Sequence, residues 1–152
     1  MVRQLAGRMG ESGVRPEIEI FDLSHIYGAR RVVDEGLIDN RPHVQFVLGV
    51  QNAMPSEKHL LDILLAELKR ALPNATWTAA GIGRHQNEVI EWVLARGGEA
   101  IRTGLEDNIR INKVRLASSN AELVKVAADI CARHGARPAT PPEARAMLAL
   151  EN

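Results

Sequence analysis

Three observations predict an α/β fold with a parallel sheet. Four short apolar runs alternate with helical patterns: EIEIFD (17–22), HVQFVLG (43–49), TWTAAGIG (76–83) and AIRTGLE (100–106). Each strand-and-helix unit takes about 30 residues, the length of a βαβ crossover. Side chains of one parity along the runs are oily, and those of the other parity are largely polar. A helix between successive strands returns the chain to the same end of the sheet, so the strands run parallel.

The elements follow in order. RQLAGRMGESGVRP reads as a helix and turn leading into the first strand, with no strand before them, so the chain is expected to enter a βα pattern partway along. SHIYGARRVVDEG continues the first strand as a helix. SEKHLLDILLAELKRAL follows the second, with Ser56 placed after Pro55 as its N-cap. RHQNEVIEWVLARGG follows the third and ends at Gly97-Gly98, a C-cap signal. SSNAELVKVAADICARHG follows the fourth; Ser119 and Glu122 have capping-box spacing, and Gly135 ends the helix. A short last helix opens at Thr140 as cap, with Pro141 at its first position and Glu143 completing a second capping box.

Strand parity refines the class. Ile18, Ile20, Val44, Phe46, Leu48, Ile101 and Leu105 share one set of faces, while Glu17, Glu19, Phe21, His43, Gln45, Val47, Arg102, Gly104 and Glu106 share the other. A doubly wound sheet carries helices on both faces and needs both oily. A (β/α)8 barrel carries them outside only, and its interior turns polar towards the catalytic mouth. The pattern therefore predicts helices on one face and four βα units, half of a TIM barrel, as a single domain over 1–152 with a short C-terminal helix. An open sheet with a solvated polar face is the competing reading.

The fourth run carries the chemistry. Arg102, Gly104 and Glu106 point the same way, and Glu106 lies at the carboxyl end of the strand, where barrel enzymes place their reactive groups. Asp107 follows in the loop. One carboxylate can bind a metal, a second can take a proton, and a guanidinium that stays charged at any working pH can fix the second in place. An ordinary structural ion pair has the same composition.

GVRPEIEIFDLSHI, VQFVLGV, GIGRHQ, RTGLEDN, LASSNAELV and ATPPEARAML resemble, in order and spacing, the beta-keto acid cleavage enzymes, typified by 3-keto-5-aminohexanoate cleavage enzyme. The resemblance extends through nearly the whole chain and matches the C-terminal half of that family. It implies a zinc-dependent (β/α)8 barrel in which a beta-keto acid reacts with acetyl-CoA to give acetoacetate and a new CoA thioester. It also implies roles for individual residues. Glu106 matches the carboxylate zinc ligand, Asp107 the general base, Arg102 its charged partner, and Glu19 a further polar active-site residue. Zinc would act as a Lewis acid on the keto carbonyl and stabilise the developing enolate. The family's other zinc ligands form a His-x-His pair, which this sequence lacks; its histidines at 25, 43, 59, 85 and 134 are scattered. A catalytic zinc normally takes three protein ligands, so the chain alone is expected to hold zinc poorly.

The remaining signals bound the function. With 19 basic and 19 acidic residues there is no basic patch for nucleic acid. No apolar run is long enough to cross a membrane, and the single Cys131 leaves no disulfide framework, so a reducing, cytoplasmic setting is expected. Gly83 and Arg84 in GIGRHQ, at a helix start, are candidates for a phosphate of CoA, although the third glycine of a dinucleotide fingerprint is missing and a tight strand-to-helix turn is the simpler account of the glycines. His25 and His85 near strand ends, and the loop at Met54 and Pro55, carry no definite assignment. Partners expected are the keto acid and acetyl-CoA in the complete enzyme, and either a second copy of the chain or a complementing N-terminal half. The chain would be a truncated gene or a natural half that needs a complement. Two other functions fit the same pattern: a non-catalytic half-barrel used for binding or oligomerisation, and a different TIM-barrel enzyme with a phosphate site in its last two βα loops.

Overall fold

The computed structural model describes residues 1–150. Helix α1 (Val2–Glu11) leads to strand β1 (Glu17–Ile20), then α2 (Leu23–Asp34), β2 (His43–Leu48), α3 (Lys58–Ala71), β3 (Thr76–Gly81), a 3₁₀ turn (Gly83–His85), α4 (Gln86–Ala95), α5 (Asn120–Arg133) and α6 (Pro141–Met147). The strands form one parallel sheet in the order β1-β2-β3, so the α/β class and the parallel sheet are as expected. No helix among the described residues is long and apolar enough to cross a membrane.

Register places the two faces. Ile18 and Ile20 line up with Val44 and Phe46, and these with Trp77 and Ala79. That row packs into one core with Ile26 and Ala29 of α2, Leu61, Leu64 and Leu68 of α3, and Val89 and Val93 of α4. Each fully buried Leu, Ile or Phe contributes roughly 1.5–3 kcal/mol relative to exposure. The other row runs Glu17–His43–Thr76, then Glu19–Gln45–Thr78, then Val47–Ala80. Gln45 and Thr78 are buried, as are Val47 and Ala80.

The expected fourth strand does not form. Among the described residues the sheet has three strands, and residues 100–106 lie beside β3 without joining the ladder. Side chains take the bonds a ladder would use. Glu99 N–H donates to Trp77 O at 3.0 Å. Trp77 N–H, however, donates to the Glu99 carboxylate at 2.8 Å, and Thr78 Oγ1 donates to Ala100 O at 2.6 Å. Ile101 still faces the helices, packing against the main core and against a smaller one built by Ile90, Ala127 and Ile130.

Capping follows the sequence in most places. Ser119 Oγ accepts Glu122 N–H, although the Glu122 carboxylate turns to Ser118 N–H rather than to the cap residue. The Glu143 carboxylate accepts Thr140 N–H. Gly97 takes positive φ after α4, and Gly98 N–H closes on Val93 O. Ser56 is a correction. Glu57 stands at the N-cap of α3, and Ser56 Oγ is buried without a hydrogen-bond partner among the described residues. Helix α2 takes Asp22 as its cap, through Ser24 N–H at 2.9 Å.

Gly81, the last residue of β3, allows the tightest approach among the glycines. A Cβ there would stand 2.4 Å from His85 O and 2.7 Å from Val89 Cγ2. Gly81→Ala should therefore destabilise the chain by about 1–3 kcal/mol through overpacking. Gly7→Ala, in α1 with nothing within 4 Å of its Cβ, should stabilise it by about 0.5–1 kcal/mol. Urea unfolding of the two variants checks both signs.

Candidate functional site

Parallel strands send their C-terminal ends to one rim, and there the loops after β1, β2 and β3 meet the segment after α4. Met54 N–H donates to Phe21 O, Ile82 N–H to Leu48 O, and Gly83 N–H to Asp107 O at 2.6 Å. The His25 ring accepts Phe21 N–H, which makes it a local structural group.

Arg102 stands at the centre of the rim. Its Nε and Nη2 donate to the two oxygens of Asp107 at 2.7 and 3.1 Å. Nη2 also reaches Glu106 Oε2 at 3.0 Å, and Nη1 reaches Glu19 Oε1 at 3.1 Å, from β1, 83 residues away in sequence. Glu19 Oε1 further accepts Gln45 Nε2 at 3.0 Å. The polar row of the sheet thus runs Glu19–Gln45–Thr78 across the strands and ends on Ala100 O, two residues before Arg102.

The three carboxylates stand at graded depth. Side-chain exposure is 7% for Asp107, 43% for Glu19 and 86% for Glu106, with Arg102 at 26%. Burial pulls the Arg102 guanidinium down, but the Asp107 bonds, with the charges of Asp107, Glu106 and Glu19, more than reverse it, and its pKa is raised. A guanidinium bound edge-on to a buried carboxylate leaves that carboxylate one free lone pair on each oxygen and a fixed orientation. Such a group can accept a proton from a molecule seated on the rim.

The four residues singled out on the sequence, Glu19, Arg102, Glu106 and Asp107, therefore meet in one cluster. Gly83 and Arg84 lie at its border. Gly83 N–H is given to Asp107 O, so a phosphate there would rest on Arg84, which is exposed with its Nε on His85 Nε2 at 3.3 Å. His43 lies at the opposite end of β2, bonded to Thr76 Oγ1 at 2.8 Å, and burial lowers its pKa. The residues needed for zinc do not come together: among the described residues no three His, Cys, Asp or Glu side chains are grouped to hold a metal ion.

Sequence reasoning missed the polar residues that hold the 103–108 turn. Gln86, buried at the start of α4, bonds to Thr103 and Gly104; Asn120 Oδ1 accepts Leu105 N–H at 2.8 Å; Asn108 is buried and closes its own turn onto Arg110 N–H at 3.0 Å. Gln86 alone left a readable signal. It stands three, four and seven residues before Val89, Ile90 and Val93, on the buried stripe of α4.

Residues 1–150 match the family model described as beta-keto acid cleavage enzyme. The chain is 47% identical over 150 residues to the 3-oxoadipate:acetyl-CoA acetyltransferase of Cupriavidus necator, covering 99% of this chain and 52% of that protein. It is 40% identical over 142 residues to the 3-keto-5-aminohexanoate cleavage enzyme of Fusobacterium nucleatum, covering 93% of this chain and 50% of that protein. The chain thus spans about half the length of these curated relatives. Among solved structures it resembles apo ObcA, with TM-score 0.80 and 18% identity over 98% of this chain and 39% of that one.

The loop leaving the cluster is tied back at the start of α5. The Glu122 carboxylate accepts Ser118 N–H at 2.7 Å and Ser118 Oγ at 2.9 Å, and pairs with Arg115. The backbone bond from Ser118, then Arg115 and the Ser118 hydroxyl, lower its pKa to about 2. A folded pKa below the unfolded one favours the folded state at high pH. The contribution is complete above the ordinary glutamate value of about 4.3. It is lost as pH falls towards 2. Glu122→Gln should lower the melting temperature at pH 7, and the gap from wild type should close as pH drops through that window.

Proposed function

The chain belongs to the beta-keto acid cleavage enzyme family, and on that premise we propose that it carries the proton-transfer side of a beta-keto acid cleavage site. The observation that carries this reading is the buried Asp107 carboxylate gripped by both edge nitrogens of Arg102 on the rim of a parallel sheet. A beta-keto acid has an acidic C–H between its two carbonyl carbons, and Asp107 takes that proton. Arg102 keeps the base in one orientation, so little reorganisation is needed when the proton moves. Glu19, shared between Gln45 and Arg102, holds the guanidinium from the far side. The products are acetoacetate and the CoA thioester of the remaining acyl group, with acetyl-CoA as co-substrate. 3-Oxoadipate, which names the relative at 47% identity, is the first keto acid to try. Arg84 is the residue proposed for a CoA phosphate.

Zinc does not fit the side chains of this chain by themselves. Glu106, the ligand implied by resemblance, is 86% exposed and gives Arg102 one oxygen, and no second and third ligand stand beside it among the described residues. We therefore propose that the complete site forms when this chain, as half of a (β/α)8 barrel, meets a complement that supplies the remaining ligands. The sheet supports the need for a partner: among the described residues β1 has a strand beside it on one side only, β2, and an edge strand invites pairing with another chain.

The test is reconstitution. The chain is co-expressed with the part of the Cupriavidus relative that it does not cover, and acetoacetate and CoA thioester are followed by mass spectrometry with 3-oxoadipate and acetyl-CoA. The assembly should be active and each half inactive. Asp107→Asn should reduce the rate by about 10²–10⁴-fold, the usual worth of a general base. Glu106→Gln should weaken zinc binding by the assembly. An active assembly that tolerates Asp107→Asn would remove Asp107 from the chemistry. A light-scattering series on the chain alone should show self-association, and a monomer at every concentration would mean that the β1 edge is capped.

A further inference from the structure

The segment that bears Arg102, Glu106 and Asp107 has no sheet ladder of its own, so something else must hold its shape. The two carboxylates ride on a turn at residues 105–107, closed by Asn108 N–H on Gly104 O; Thr103 and Gly104 lead from Arg102 into that turn, and both are bonded by one side chain. Gln86 Nε2 donates to Gly104 O at 3.1 Å, and Gln86 Oε1 accepts the Thr103 hydroxyl at 2.8 Å. Gly104 O is an acceptor only, which fixes the amide orientation and makes Oε1 the partner of the hydroxyl. Gln86 is 1% exposed, so water does not replace either bond when it is lost.

The other ties lie downstream. Asn108 N–H closes on Gly104 O at 3.1 Å, Leu105 N–H on Asn120 Oδ1 at 2.8 Å, and Gly83 N–H on Asp107 O at 2.6 Å. These define the turn from Gly104 onward. At the turn's entry, one residue from Arg102, the side-chain bonds to Thr103 and Gly104 come from Gln86. Its own position is fixed by the strand-to-helix turn that Gly81 permits, and by Val89, Ile90 and Val93 on the same face of α4.

We propose that Gln86 is the positioning residue of the Arg102–Asp107 pair: it clamps Thr103 and Gly104 from α4 and so sets the angle at which the guanidinium meets the carboxylate. The inference rests on Asp107 being the working base, but the clamp can be measured without activity. In Gln86→Met, which keeps the volume and removes both bonds, hydrogen exchange at Arg102 Nε–H and at Asn108 N–H should quicken about tenfold or more, the equivalent of one lost hydrogen bond. The amides of β2 should be unchanged. Thr103→Val should give part of the same effect with Gln86 left in place, and Thr103→Ser should restore slow exchange. In the reconstituted enzyme Gln86→Met should lower kcat about 10²-fold with KM little changed, the cost of a small misplacement of a reacting group. The double variant with Thr103→Val should cost no more than Gln86→Met alone. Unchanged exchange at Arg102 Nε–H in Gln86→Met overturns the proposal, as does an unchanged kcat in an active assembly. An assembly whose wild type makes no acetoacetate sinks the proposed function instead, and the exchange measurements then decide the clamp alone.

Discussion

One guanidinium holding three carboxylates is the interaction on which the rim depends. Arg102 binds Asp107 through two nitrogens, Glu106 from the same turn, and Glu19 from the opposite edge of the sheet. Without it, three acidic groups would gather at one rim, and the buried Asp107 above all would need another cation or a proton. With it, the first strand and the last loop segment are joined across β2 and β3. The contact therefore does two things at once. It closes the polar face over Gln45, and it leaves Asp107 buried and oriented while Glu106 stays open to solvent.

The support beneath that contact is polar as well. A β-strand would hold Arg102 by a ladder, with its rigidity shared over many equal bonds. Here the segment hangs on a few individual groups: Glu99 and Thr78 at its start, Gln86 just before its turn, Asn120 and the Gly83 amide at its end. The apolar anchor is Ile101, shared by two hydrophobic clusters. Such an arrangement permits a sharper turn than a strand would, and so brings Glu106 and Asp107 back towards Arg102 within five residues. The helices contribute stability through the opposite face, where Phe46, Leu48 and Leu64 are fully buried. Chemistry and core thus occupy separate sides of the same strands.

The parallel sheet, its oily face and the helix order were legible because period-two and period-3.6 patterns are local. Ile20, Val44, Phe46 and Leu48 fall on the helix face as their parity requires, and the caps at Ser119 and Gly97 are where the residue types place them. Ser56 and the run 100–106 were misread for one reason. A cap or a strand is completed by its neighbours in space, and nothing in either stretch announces that Glu57 takes the cap position, that the Glu99 carboxylate takes Trp77 N–H, or that the Thr78 hydroxyl takes Ala100 O.

By itself, then, the sequence determined the α/β class, the polar parity of the strands and the grouping of Arg102, Glu106 and Asp107, because these depend on spacing along the chain. Tertiary structure alone decided that Glu19, which resemblance had put in the site, meets the Arg102 guanidinium from 83 residues away, that Asp107 lies deep while Glu106 is exposed, and that Gln86 bonds Thr103 and Gly104 between them. Those facts depend on sheet register and on where α4 crosses the segment. Both are set by packing between elements distant in sequence, which no local pattern encodes.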